Sequence, residues 1–156
     1  MEEFALNIIH IFQDIDSLSF LSQTYLEDVP KDSYKDSTSD GKRKFLMMVE
    51  RFTDSNLNTL QMFLNHRRYF NDTCKCNCLF CETIAFDDLP CTLQRLLDEI
   101  PITIEKLKQI KDETVKPDEH VYLRRIESFL TKMQEDTKAL MENQYSSFYH
   151  ENCKMK

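Results

Sequence analysis

The sequence predicts an all-α protein, a four-helix bundle with a long first connection and a cysteine-rich second one, folded as a single domain over residues 1–156. Three observations predict it. The chain holds a single glycine, Gly41, against 41% hydrophobic residues. Tight hairpin turns that need positive φ are then almost unavailable, which disfavours a barrel or sandwich of strands. Apolar residues recur at alternating steps of four and three in separate stretches, the period of one buried helix face. The length of 156 residues suffices for one core and hardly for two.

The first helix is expected at about residues 3–26. Phe4, Ile8, Ile11, Ile15 and Leu18 form its stripe, and Gln13, Asp14 and Asp16 fall on the wet side. Pro30 and the polar run from Lys31 to Gly41 break the pattern, because Ser and Asp there offer the backbone hydrogen bonds that compete with helix. The second helix starts near Lys42. Phe45, Val49 and Phe52 make one stripe and Leu57, Leu60 and Leu64 another, so Asp54-Ser55-Asn56 between them marks a kink or a change of face.

Residues 71–90 hold cysteines and no sustained period. Asp88 and Pro90 signal the start of the third helix, whose stripe is Leu93, Leu97, Ile100, Ile104 and Leu107. Pro101 lies inside that repeat. It removes a backbone donor and clashes with the preceding turn, so a kink or two short helices on one axis is expected there. The fourth helix opens at Pro117-Asp118-Glu119, with acids in the positive first turn. Tyr122, Ile126, Phe129, Met133, Leu140 and Phe148 carry it to about residue 150.

With one glycine, neither a P-loop, nor a dinucleotide fingerprint, nor a G-x-S-x-G elbow can be written. His10, His66, His120 and His150 are scattered, and Asp87/Asp88 read as helix-start acids rather than a general acid/base pair. No catalytic constellation emerges, so neither an enzyme nor a cofactor is expected. The formal charge of −7 argues against nucleic acid as a partner. Lys42-Arg43-Lys44 and Arg67-Arg68 read as solvated helix surface. Membrane insertion is not expected either, since even Phe4–Phe12 is interrupted by Asn7 and His10.

Six cysteines are an even count: Cys74, Cys76, Cys78, Cys81, Cys91 and Cys153. Asn71-Asp72-Thr73 is an N-glycosylation sequon just before the first. Together they favour a secreted, disulfide-bonded protein with Asn71 as a glycosylation site. Four thiols within Cys74-x-Cys76-x-Cys78-x2-Cys81 also suit tetrahedral zinc or copper(I), although structural zinc sites usually split their ligands into two separated pairs. Met1-Glu2-Glu3 lacks the basic start of a signal peptide. The chain then reads either as a mature secreted protein or as an intracellular one, the second being a helical protein-interaction module with a structural metal at the cysteines.

Ile126-Glu127-Ser128-Phe129-Leu130-Thr131-Lys132-Met133 resembles the last helix of interleukin-4 and its relatives. Asp136–Glu142, Tyr145, Phe148 and Asn152-Cys153 resemble the end of macrophage colony-stimulating factor. Leu60–His66, followed by Asp72, Thr73 and Cys74, is similar to the second helix and next cysteine of interleukin-4. These stretches cover about a third of the chain. The resemblance, to short-chain four-helix-bundle cytokines as a class, implies a secreted ligand that binds cell-surface receptors through helix faces, with a homodimer as a further state to test. It implies receptor contacts at His10, Gln13 and Asp14 on the first helix and at Arg124, Glu127 and Lys138 on the fourth. The cysteines depart from the interleukin-4 pattern, which places partners near the first helix, because none precedes Cys74 here.

The likeness implies an up-up-down-down bundle, which needs long first and last connections. The last one here, around Lys111–Lys116, is short and favours antiparallel neighbours. An up-down-up-down bundle would instead bring the cysteine cluster and Cys153 to one end, within the roughly 7 Å that a disulfide spans between Cα atoms. Both arrangements stand as expectations.

Overall fold

The computed structural model describes residues 2–28, 37–65, 89–114 and 116–146. They form four helices: α1 (Glu2–Asp28), α2 (Ser37–Leu64), α3 (Leu89–Glu113) and α4 (Pro117–Glu142). No strand occurs among the described residues. The protein is an all-α four-helix bundle.

One core runs through it. Ile8, Ile11, Ile15 and Leu18 of α1 meet Phe45, Leu46, Val49 and Leu60 of α2, Leu93, Leu96, Ile100 and Leu107 of α3, and Leu123, Ile126, Leu130 and Met133 of α4. Threonines continue three of these stripes at buried positions. Each spends its hydroxyl on its own helix: Thr53 donates to the Glu50 carbonyl (2.8 Å), Thr103 to Glu99 (2.9 Å) and Thr137 to Met133 (2.6 Å). A buried hydroxyl without a partner would be costly, and the local bond removes that cost.

The direction of each helix follows from its cross-helix contacts. Asp14 meets Arg95 and Asn7 meets Lys106, so α1 and α3 are antiparallel. Lys111 meets Glu127 across the short turn between α3 and α4. Phe63 stacks edge-on against Tyr122 while Gly41 lies beside Tyr145, so α2 and α4 are antiparallel too. The order is therefore up-down-down-up. α1 packs broadly on α2 and on α3, α3 on α4, and α2 meets α4 over a smaller area. Every neighbour in the ring is antiparallel, and the diagonal pairs, α1 with α4 and α2 with α3, are parallel.

Neither of the two topologies expected from the sequence is adopted. The chain must instead return the full height of the bundle between Leu64 and Leu89. α2 is about 42 Å long at 1.5 Å per residue, and residues 65–88 reach roughly 80 Å when extended, so the crossing is easily made. The long connection that a parallel pair requires is the second one, not the first or the last.

Several boundaries differ from expectation. α2 starts at Ser37, so Gly41 lies inside it rather than ending a loop. Gly41 does not have positive φ, so its role is close approach and not a turn. α2 also passes through Asp54-Ser55-Asn56 as continuous helix, because Asn56 Nδ2 donates to the Phe52 carbonyl at 2.7 Å and leaves no buried amide unpaired. α3 is one helix through Pro101 rather than two short ones. Pro101 is exposed, so water can take the carbonyl it leaves without a donor. α4 begins at Pro117 with Asp118 and Glu119 in its first turn, as expected, but ends at Glu142 rather than near residue 150. Asn143 stops it: its backbone is extended, and its side-chain oxygen accepts the Tyr145 N–H at 2.9 Å.

Candidate functional site

A polar groove lies between α1 and α3. On α1, His10, Asp14 and Ser17 stand at successive steps of four and three, with Gln13 beside them. On α3, Arg95, Asp98 and Glu99 occupy the same kind of face. Residues three and four apart on a helix share a face, so the antiparallel packing brings both sets together. They line an open groove of about 430 Å³.

Arg95 donates from Nε and Nη2 to Asp14 Oδ1, at 3.1 and 3.0 Å. His10 Nδ1 lies 3.2 Å from Glu99 Oε1. Further along the same seam, Lys106 Nζ donates to Asn7 Oδ1 at 3.0 Å. Asp14 is 7% exposed. Burial pushes its carboxyl up to about 6 from 3.8, against the pull of the Arg95 guanidinium, and Glu99 adds to the rise. Desolvation of the charged form outweighs the ion pair here, the usual balance for a carboxylate held under neighbouring helices. Ser17 is 5% exposed, and its hydroxyl has no hydrogen-bond partner.

Gln13 and Asp14 are thus buried, not on the wet side as the sequence pattern implies. The cause is that α1 packs against both α2 and α3 and covers a wider arc than one stripe. Arg95 makes the acid tolerable there. His10 remains half-exposed.

The structure brings His10, Gln13 and Asp14 together and keeps them apart from the fourth-helix candidates. Arg124 is exposed on α4, with its Nε 3.4 Å from the His120 carbonyl. Glu127 turns toward α3 and pairs with Lys111 at 2.6 Å. Lys138 is exposed on the same helix. Because α1 and α4 are diagonal, these two sets do not form one surface. Ser17, Arg95, Asp98 and Glu99 complete the groove and are not nominated by the sequence pattern. The signal that could find them is Arg95, opposite in sign to Asp14, with Glu99 at i, i+4 at the margin of a buried stripe, but only the antiparallel register joins the two sets.

Cys91 is buried in the first turn of α3 and is disulfide-bonded. It sits at the end of the bundle where α4 ends. Asn71, Cys74, Cys76, Cys78, Cys81 and Cys153 lie outside the described residues, and so does the partner of Cys91. Among the described residues, no group of three or more His, Cys, Asp or Glu is placed to hold a metal ion. No helix among them is long and apolar enough to cross a membrane. Comparison of the chain with family models, with curated proteins and with solved structures finds no match in any of the three.

Proposed function

We propose that the protein is a secreted helical ligand of the cytokine type, which acts by binding a cell-surface receptor through its helix faces and performs no catalysis. The observation that carries this reading is the α1/α3 groove. It presents His10, a first-helix residue the cytokine resemblance nominates, at its rim; Gln13 and Asp14 are buried beneath and support the recess rather than contact a receptor, Asp14 being held by a part-buried ion pair with Arg95. Interfaces gain specificity from such prearranged charge more than from area. The bonded Cys91 adds support, since structural disulfides persist in oxidising compartments.

The test is binding of the labelled, natively purified protein to cells of its source organism. Saturable binding, competed by unlabelled protein and lost after the cells are treated with protease, is expected. A thiol assay on the same preparation is expected to find few reactive thiols. Six titratable thiols together with no saturable cell binding would overturn the reading. The contiguous Cys74, Cys76, Cys78 and Cys81 favour one rival, an intracellular interaction module with a structural metal. Native mass spectrometry separates the two, because the rival requires bound zinc or copper on the intact chain.

A further inference from the structure

We infer that the cleft between α2 and α4 is a binding site for a medium-chain carboxylate. The apolar chain lies on Phe52, Phe129 and Leu140, and Arg51 and Lys132 hold the carboxylate. The α2/α4 seam is on the opposite side of the bundle from the α1/α3 groove, so the site stands apart from the receptor reading.

α2 meets α4 over a smaller area than the other neighbouring pairs in the ring do. Along that seam the bundle opens into a cleft of about 540 Å³. Phe52 and Leu140 belong to the core and Phe129 packs against it, and all three line the cleft. Met48 adds apolar surface that is 46% exposed. On α2 the lining runs from Met48 to Thr59, about 16 Å at 1.5 Å per residue. That shape suits an alkyl chain rather than a compact ion, and each methylene removed from water on such a floor is favourable.

Charge selects the head group. Arg51 and Lys132 line the cleft from opposite walls, and Asp136 is the one acid among its lining residues. The register that sets Gly41 beside Tyr145 and Phe63 beside Tyr122 brings the two cations within one helical turn of the same height. Arg51 is exposed, and its guanidinium has no hydrogen bond or ion pair among the described residues. Lys132 lies 3.6 Å from Asp136, but the lysine is 77% exposed, so that pair is weak and easily exchanged. Asn56 and Thr59 spend their donors on carbonyls of α2 itself, at 2.7 Å to Phe52 and 3.3 Å to Ser55. Two cations against one acid leave a single positive charge over an apolar floor. One carboxylate matches it, and a guanidinium can take both of its oxygens. A phosphate dianion would bring a second negative charge against Asp136.

The probe is octanoate, titrated below its micelle concentration into the intact 15N-labelled protein. 1-Octanol keeps the chain without the charge, and acetate keeps the charge without the chain. Saturable amide shifts within residues 51–56 and 129–140 are expected with octanoate, in the millimolar range, with at least about fivefold weaker binding of octanol and no saturation by acetate. Arg51→Gln, at an exposed position that leaves the core intact, should weaken octanoate at least about threefold, and Arg51→Lys should weaken it less. Lys108→Gln, on the exposed side of α3, should leave it unchanged.

Equal binding of octanol, shifts centred elsewhere, no saturation up to about 20 mM, or wild-type affinity in a folded Arg51→Gln protein would overturn the inference. Shifts at the same amides that follow protein concentration without any probe would assign the cleft to a second copy of the chain, and would overturn it too. Cell binding of the protein is a separate measurement, and neither result decides the other.

Discussion

The ring of Tyr145 occupies the space that a side chain on Gly41 would need. A Cβ placed on Gly41 would overlap Cζ and Oη of Tyr145 and lie 2.6 Å from Cε2. Gly41 stands in the second turn of α2, and Tyr145 stands just beyond the end of α4, where the Asn143 side chain fixes the turn. The one glycine in the chain thus lets the end of one helix close onto the start of another.

That contact predicts a change of sign. In an exposed helix Gly→Ala stabilises by about 1 kcal/mol. Gly41→Ala is expected to destabilise instead, because the ring must leave its seat. In a Tyr145→Ala background the same change should stabilise by about 1 kcal/mol. Urea melts of the four proteins measure the cycle, and an alanine at 41 that helps in both backgrounds would show that the ring does not need the space.

Asp14 predicts a pH dependence. Its folded-state pKa is raised, so the folded protein holds this proton more tightly than the unfolded chain does. The stability contributed is fully present below about pH 4 and is lost as pH rises through about 6. For a shift of this size the loss is on the order of 2–3 kcal/mol. Asp14→Asn removes the titration. The stability difference between variant and wild type should therefore grow in favour of the variant between pH 4 and pH 7. A difference that stays constant with pH would contradict the assignment.

Arg95 is the other half of that pair. Replacing it with methionine leaves Asp14 buried beside Glu99 without its cation. The expected cost is about 2 kcal/mol at pH 7, below the full value for a buried pair because Arg95 is partly exposed. Asp14→Asn added to Arg95→Met should recover most of it. The readout is the coupling in a double-mutant cycle, and purely additive costs would mean that the two side chains do not act together.

Leu96 and Leu97 separate the sequence pattern from the packing. The alternating steps of the third helix select Leu97, but Leu96 is the one with no exposed surface, and Leu97 is only half-buried. Leu96→Ala is expected to cost about 3 kcal/mol and Leu97→Ala about 1 kcal/mol in thermal or urea melts. The reverse order would place the core on the other side of α3.

Lys111 and Glu127 link α3 to α4 beside their short turn, each about three-quarters buried. Glu127→Gln should lower stability by about 1 kcal/mol, less at high salt. A salt-independent loss would assign the cost to packing rather than charge.

The helices were legible in the sequence because each buries a face against the others, and a buried face writes its period into the chain. Ile8, Ile11 and Ile15 are such residues. Pro117, Asp118 and Glu119 marked the fourth start because a helix N-terminus favours those residue types. Topology was not legible. Helix direction is set by pairs such as Asp14 with Arg95, eighty-one positions apart, and nothing local records them. The same holds for the groove. On α1 the sequence pattern puts Gln13 and Asp14 on the wet side, yet both are buried. The other wall, on α3, carries polar residues at the margin of a stripe, where burial is decided by a neighbouring helix. The Lys31–Gly41 run misled because its serines and aspartates suit a helix start as well as a loop, and α2 begins within it at Ser37.

The parallel diagonal pairs have a consequence for how the molecule can be divided. Because α1 with α2 and α3 with α4 are each antiparallel pairs, the chain between Leu64 and Leu89 joins opposite ends of the bundle. Cutting it separates the protein into two halves that meet mainly where α1 lies on α3. Each half carries one wall of the groove. Fragments ending at Asn65 and starting at Leu89 should therefore reassemble chiefly through the apolar residues that α1 and α3 share in the core.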